Sequence, residues 1–184
     1  MDALLICGGK GTRLDAAVEK PLYAVGGRPM VDRVADALAE SAVETTRAVT
    51  SPHAPATAAH VRDDLGLPTI ESPGEGYVAD LDAALSADAV ETPVLTVAAD
   101  LPLLAGDAVD DILRAHDGGS LTVCVPAALK DLLGASCDTE QDGLAPAGIN
   151  VVDDDSDTMY TTHDARLAVN VNRQSDAAVA EALL

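Results

Sequence analysis

The stretch PVLTVAAD (93–100) is apolar at successive positions, not at alternate ones. A strand sends successive side chains to opposite faces. This one therefore has to be covered on both faces, which helices flanking a parallel sheet provide. The same demand recurs along the chain. DALLIC (2–7), TRAVTS (46–51), LPTIES (67–72), LTVCVP (121–126), GINVVD (148–153) and ARLAVNV (165–171) also read as strands. Helical spacing lies between them: Met30, Val31, Val34 and Leu38 after GGRP, then Tyr77, Val78, Leu81 and Leu85, then Val109, Ile112 and Leu113. A polar helix is expected over roughly 54–65, and Ser175 is placed to cap a last helix over 176–184. Strands separated by helices predict βαβ units and an α/β architecture with a mainly parallel central sheet. With 184 residues, no long linker and no internal repeat, one domain spanning 1–184 is expected. The segment from Lys130 to Pro146 is the least patterned and reads as a loop or a substrate-facing excursion.

Charge narrows the function. Acidic residues number 31 against 11 basic ones, a net charge of −20, with only three lysines and neither Phe nor Trp. The excess is spread along the chain. A folded domain so charged repels itself at low salt, and salt screens the repulsion. The composition resembles that of cytoplasmic proteins of extreme halophiles, and it disfavours nucleic acid as a partner. No apolar run reaches 18 residues and the N-terminus lacks a signal-peptide layout, so a cytoplasmic protein without an integral membrane segment is expected. Cys7, Cys124 and Cys137 have no zinc spacing, and the first two read as buried strand thiols. The acidic triplet Asp153-Asp154-Asp155 reads as a solvated turn.

In a parallel sheet, ligands sit beyond the carboxyl ends of the strands. The first strand ends in GGKGTRL (8–14), glycines and cations that suit a phosphate. A Walker A loop is excluded: Gly11, not Ser or Thr, follows Lys10. A dinucleotide fingerprint fails at Leu14, which stands where its third glycine is needed. What remains is GGKGTRL followed by Lys20-Pro21-Leu22, which resembles the nucleotidyltransferase signature G-G-x-G-x-R-(M/L) … K-P-L. The physical logic is that glycines let backbone N–H groups approach a triphosphate, while Arg13 gives forked contacts and Lys20 a second cation. VAADLPLL (97–104) is similar to that family's D-x-P segment, whose Asp holds magnesium; the alternative for Asp100 is to cap the following helix.

GEGYVADL (74–81), GLAPAGINVV (143–152) and NVNRQSDAAVAEALL (170–184) carry a narrower resemblance, to the archaeal GTP:adenosylcobinamide-phosphate guanylyltransferases within the MobA-like superfamily. That resemblance implies a Rossmann-like three-layer α/β/α nucleotidyltransferase fold. It implies GMP transfer from GTP to a corrinoid phosphate with magnesium as cofactor. It assigns Arg13 and Lys20 to catalysis and Gly8, Gly9, Lys10, Gly11, Thr12, Ser51, Gly74, Glu75, Gly76 and Tyr77 to the nucleotide. Gly148 and Asn172 fall near the transferred or incoming phosphate, and Asp100 on the metal. For guanine, Glu75 or Glu71 is the candidate acceptor. His53, His60, His116 and His163 sit in no motif, and a phosphate nucleophile needs no general base. The loop departs from the family's R-M-G at Arg13-Leu14-Asp15, where a carboxylate has to turn outward to avoid the triphosphate. Rival readings are a molybdenum-cofactor guanylyltransferase, a sugar-phosphate nucleotidyltransferase, and a non-catalytic GTP-sensing protein on the same fold. On the first reading, Lys20→Ala is expected to cost more rate than Lys130→Ala.

Overall fold

The computed structural model of the protein describes residues 1–8, 11–153 and 156–184. In chain order the elements are β1 (Ala3–Ile6), β2 (Ala24–Val25), β3 (Arg28–Pro29), α1 (Met30–Ala39), β4 (Thr46–Thr50), α2 (Pro55–Asp63), β5 (Thr69–Glu71) and α3 (Tyr77–Leu85). Then follow β6 (Val94–Ala98), α4 (Gly106–Ala115), β7 (Ser120–Pro126), α5 (Ala127–Leu133), β8 (Leu144–Val152), β9 (Asp157–Thr161) and α6 (Gln174–Leu183). The main sheet has the order β5-β4-β1-β6-β8-β7-β9, and β2 and β3 form a small hairpin. β1 pairs in parallel with β4 and β6, aligning Leu5 with Ala48 on one side and with Val97 on the other. β8 is antiparallel to both β6 and β7, while β9 is parallel to β7. The sheet is thus mainly parallel, as the apolar strands require.

Alternation along β1 sorts its side chains. Ala3, Leu5 and Cys7 face a core shared with Val31, Val34 and Leu38 of α1, Val61 of α2 and Val109 and Ile112 of α4. Leu4 faces the other way, against Ala84 of α3 with Val49 and Val94. Truncating a fully buried leucine here, such as Leu5→Ala, costs about 2–5 kcal/mol. A third cluster joins Leu14, Val25 and Met30 to Val169, Val171, Ala177 and Ala180, and so ties the end of the glycine-rich loop to α6. Among the described residues no helix is long and apolar enough to cross a membrane.

Two sequence expectations change, and one strand was not foreseen. Residues 165–171 form no strand: Ala165–Leu167 is a 3-10 turn whose start is capped by the Asp164 carboxylate. The apolar alternation there reflects burial, since Leu167 joins the main core while Val169 and Val171 join the α6 cluster. The 130–146 excursion contains most of α5 and the start of β8. Its pattern was obscured because a lysine occupies the inward face of α5. The polar edge strand β9 carried no apolar signal, with four of its five residues exposed. Asp153 follows β8 at the sheet margin, whereas Asp154 and Asp155 lie outside the described residues.

Candidate active site

β1, β4, β5 and β6 deliver Cys7-Gly8, Ser51, Ser72 and Asp100 to one edge. β8, being antiparallel, presents its earlier residues there: Ile149 pairs with Val97, which sets Gly148 beside the end of β6. The edge holds two adjoining hollows of about 140 and 290 Å³ that share Ile6 and Tyr77. The smaller reaches Lys20 and Asp100, and the larger reaches Gly8, Gly74 and Asp80.

Lys20 is the centre of the first hollow. It opens a 3-10 turn, Lys20–Leu22, with Pro21 buried. Its Nζ donates to Asp100 Oδ2 at 2.6 Å and to Asn172 Oδ1 at 2.8 Å. The stem is seated by Gly11, whose φ of +60 suits glycine and where an added Cβ would lie 2.6 Å from Lys20 Cβ. The approach to Lys20 is fixed one residue earlier. The Glu19 carboxylate accepts from the N–H groups of Ala56 and Thr57 and from the Thr57 hydroxyl, closing the start of α2. Burial works against that charge, yet the Thr57 and Ala56 hydrogen bonds hold its pKa below the usual carboxylate range.

Behind Asp100 lies a connection the sequence did not reveal. Asn170 Nδ2 donates to Asp100 Oδ1 at 3.3 Å and to the Ala147 carbonyl at 3.0 Å. Its Oδ1 accepts from Lys130 Nζ at 2.9 Å, and the same ammonium donates to the Ala168 carbonyl. A lysine only donates, so Lys130 fixes which way the Asn170 amide points. Lys130 is 3 % exposed. Burial lowers its pKa, and Asp100 and Asp176 are among the acidic groups that oppose this. Gly148 leaves room for the amide: a Cβ there would meet Asn170 Nδ2 at 2.8 Å, and its φ is +82. Asn172 is held by Asp176, whose fully buried carboxylate accepts from the N–H groups of Asn172, Arg173 and Ser136 and from the Ser136 hydroxyl. Asp176, not the exposed Ser175, thus organises the start of α6. Nor does Asp100 cap a helix, because α4 begins only at Gly106 after Ala105.

Arg13 is placed differently. It is 65 % exposed and its Nη1 donates to Asp138 Oδ2 at 2.8 Å. Arg173 reaches the other oxygen of the same carboxylate. Hydrogen bonding to Arg173, with the charge of both arginines, lowers the Asp138 pKa. Thr12 and Asp15 are exposed, so that carboxylate does turn outward. Gly9 and Lys10 lie outside the described residues.

In the second hollow, Ser51 is buried and donates to the Gly8 carbonyl. Gly74, Glu75, Gly76 and Tyr77 form its rim, with Glu71 and Glu75 exposed. The buried carboxylate is Asp80, three residues beyond Tyr77, inside a stretch the sequence singled out only as a whole. Cys7 is buried and its pKa is pushed up to about 12, which keeps it a neutral core thiol.

A divalent metal fits the donor set. Asp100 Oδ2 and Asn172 Oδ1 already converge on one cationic atom, the Lys20 ammonium. Among the described residues no three His, Cys, Asp or Glu side chains gather into a cage. Two hard oxygens suit a small cation that keeps its remaining ligands as water and phosphate, as magnesium does.

Residues 3–137 match the MobA-like NTP transferase domain. The chain belongs to the MobA-like NTP transferase family. It is 32% identical over 200 residues to the adenosylcobinamide-phosphate guanylyltransferase of Methanocaldococcus jannaschii, covering 100% of this chain and 97% of that one. It is 31% identical to the bifunctional protein GlmU of Micrococcus luteus over 71% of this chain, but spans only 28% of GlmU. Two solved structures share the fold: a CMP:2-keto-3-deoxy-manno-octonic acid synthetase complexed with CTP, and a putative glucose-1-phosphate thymidylyltransferase from Bacillus anthracis. The first superposes with a TM-score of 0.68 at 15% identity, covering 100% of this chain and 98% of that one. The second gives 0.69 at 12%, covering 100% and 94%. The protein is a nucleotidyltransferase with a Rossmann-like α/β fold.

Proposed function

We propose that the protein transfers GMP from GTP to adenosylcobinamide phosphate, releasing pyrophosphate, with magnesium as the metal. The observation that carries the chemistry is the convergence of Lys20, Asp100 and Asn172 at the carboxyl edge of the sheet. The acceptor is supported by extent. The family model stops at residue 137, whereas the 32% identical relative also matches β8, α6 and the segment that holds Gly148 and Asn172.

The acceptor's phosphate is ionised near neutrality, with a second pKa of about 6, so its oxygen attacks without a base. A P–O bond forms at the α-phosphorus of GTP, the bond to the α,β-bridging oxygen breaks in line, and the electron pair leaves with pyrophosphate. Lys20 neutralises charge on the phosphates, and Arg13 grips the outer ones from the rim. Asn170 and Lys130 keep Asp100 oriented, while Asp176 keeps Asn172 oriented. Once the Lys20 ammonium turns from their oxygens to the phosphates, Asp100 and Asn172 would hold the metal, which would supply charge neutralisation at the reacting phosphate. A cytoplasmic, salt-rich setting is the reading of the net charge, −20.

The test is pyrophosphate release in molar KCl with magnesium and GTP, comparing adenosylcobinamide phosphate with molybdopterin as acceptor. Release with the corrinoid alone is the expected result. Release with molybdopterin alone overturns the acceptor, and GTP binding without release under either condition points to a sensing protein.

A further inference from the structure

We infer that Asp80 selects the base: its carboxylate accepts N1–H and N2–H from a guanine seated in the larger hollow. The inference rests on GTP being the nucleotide donor. Asp80 is 3 % exposed and lines the hollow of about 290 Å³ formed by the end of β1 and the turn before α3. One oxygen, Oδ1, accepts from the Gly74 N–H at 2.7 Å. The other, Oδ2, would lie 3.0 Å from a Cβ added at Gly8, so it sits against the start of the phosphate loop. The two nearby hydroxyls do not serve it. Ser51 donates to the Gly8 carbonyl and Ser72 to the Thr50 carbonyl, both at 3.0 Å. Among the described residues Asp80 has no cationic partner and Oδ2 receives no hydrogen bond.

With no donor from the described residues, Oδ2 is left as an acceptor that a ligand in the hollow can reach. An ionised carboxylate accepts and never donates. Guanine presents two adjacent donors, N1–H and the 2-amino group. Adenine has no N1–H, and hypoxanthine lacks the 2-amino group. A base seated there shares the Ile6 and Tyr77 walls with the hollow of Lys20 and Asp100, so its phosphates can reach that hollow. Glu71 and Glu75, the acceptors expected from sequence, are exposed, whereas Asp80 is 3 % exposed and lines the hollow.

The experiment measures equilibrium binding of GTP, ITP, ATP and XTP to the whole protein and to Asp80→Asn. The unaltered protein should bind GTP about tenfold or more tighter than ITP, and tighter still than ATP. Asn at this position keeps an oxygen for the Gly74 N–H and offers a donor where guanine's 2-amino group stood. It should therefore lose about tenfold or more for GTP and gain affinity for XTP, whose 2-oxo group accepts. A purely structural role predicts equal loss for all four nucleotides, and that result overturns the inference. If Asp80→Asn does not fold, the unaltered protein still decides: equal affinity for GTP and ITP overturns it. No preference of the unaltered protein for GTP over ATP overturns the GTP reading itself.

Discussion

The two cations expected on the triphosphate sit in contrasting surroundings. Lys20 is 15 % exposed, with both oxygen acceptors supplied by elements far away in sequence. Arg13 is 65 % exposed and tethered by one carboxylate that it shares with Arg173. The Lys20 end is therefore preorganised by the fold, through Asn170 and Lys130 on one side and Asp176 on the other. The Arg13 end is exposed, and on the proposed reading it exchanges Asp138 for an outer phosphate. Preorganised charge lowers a barrier because nothing has to be reoriented during reaction. A solvated ion pair contributes little on its own, typically about 0–1 kcal/mol.

The contrast can be broken in order of expected effect. Lys20→Ala should lower the rate by about 10²–10³-fold while the fold survives, checked by single-turnover kinetics alongside circular dichroism. Lys130→Met removes the buried donor and leaves Asn170 Oδ1 and the Ala168 carbonyl unpaired. A loss of about 3 kcal/mol is expected, a fall in Tm of roughly 10 °C by calorimetry, and weaker magnesium binding to the folded protein. An unchanged Tm would mean that Asp100 is not supported from behind. Arg13→Ala should raise the GTP KM about tenfold with a smaller change in kcat. Asp138→Asn should act oppositely, lowering that KM two- to threefold, roughly, by freeing the arginines.

The smallest effect lies away from the site and sets a baseline. His60 hydrogen-bonds to Asp32 and Asp64. Burial disfavours its charge, but the two carboxylates outweigh this and raise its pKa above 6.5. The protonated form is thus favoured in the folded state. Its contribution is full below pH 6.5 and fades as pH rises through the raised folded-state pKa. A decrement well under about 1 kcal/mol, absent in His60→Ala, should appear in urea titrations across that range.

The strands that build the reacting edge were legible because a strand covered on both faces cannot hide its hydrophobicity. Lys20 and Asp100 were legible because each opens a recognisable motif, K-P-L and D-x-P, and the fold brings their polar atoms within 2.6 Å. Lys130 and Asn170 were not. They lie 40 residues apart, and a lysine inside a short apolar helix looks like a surface residue until its partners are known. For this reason Lys130→Ala, expected from sequence to cost less rate than Lys20→Ala, is also a change beneath Asp100. Asp80 was hidden by composition, since among 31 acidic residues a buried one has no distinguishing mark. Segment 165–171 shows the converse error, where apolar residues alternate in the sequence but Leu167, Ala168 and Val169 are buried in succession and Val171 N–H donates to the Asp100 carbonyl outside any ladder.

The most direct test of the prebuilt end is single-turnover pyrophosphate release with saturating GTP, magnesium and adenosylcobinamide phosphate, run in parallel on Lys20→Ala and Arg13→Ala. The account predicts a rate lower by about 10²–10³-fold for Lys20→Ala and, once GTP saturates, a near-normal rate for Arg13→Ala. A normal rate for Lys20→Ala beside a dead Arg13→Ala would contradict it.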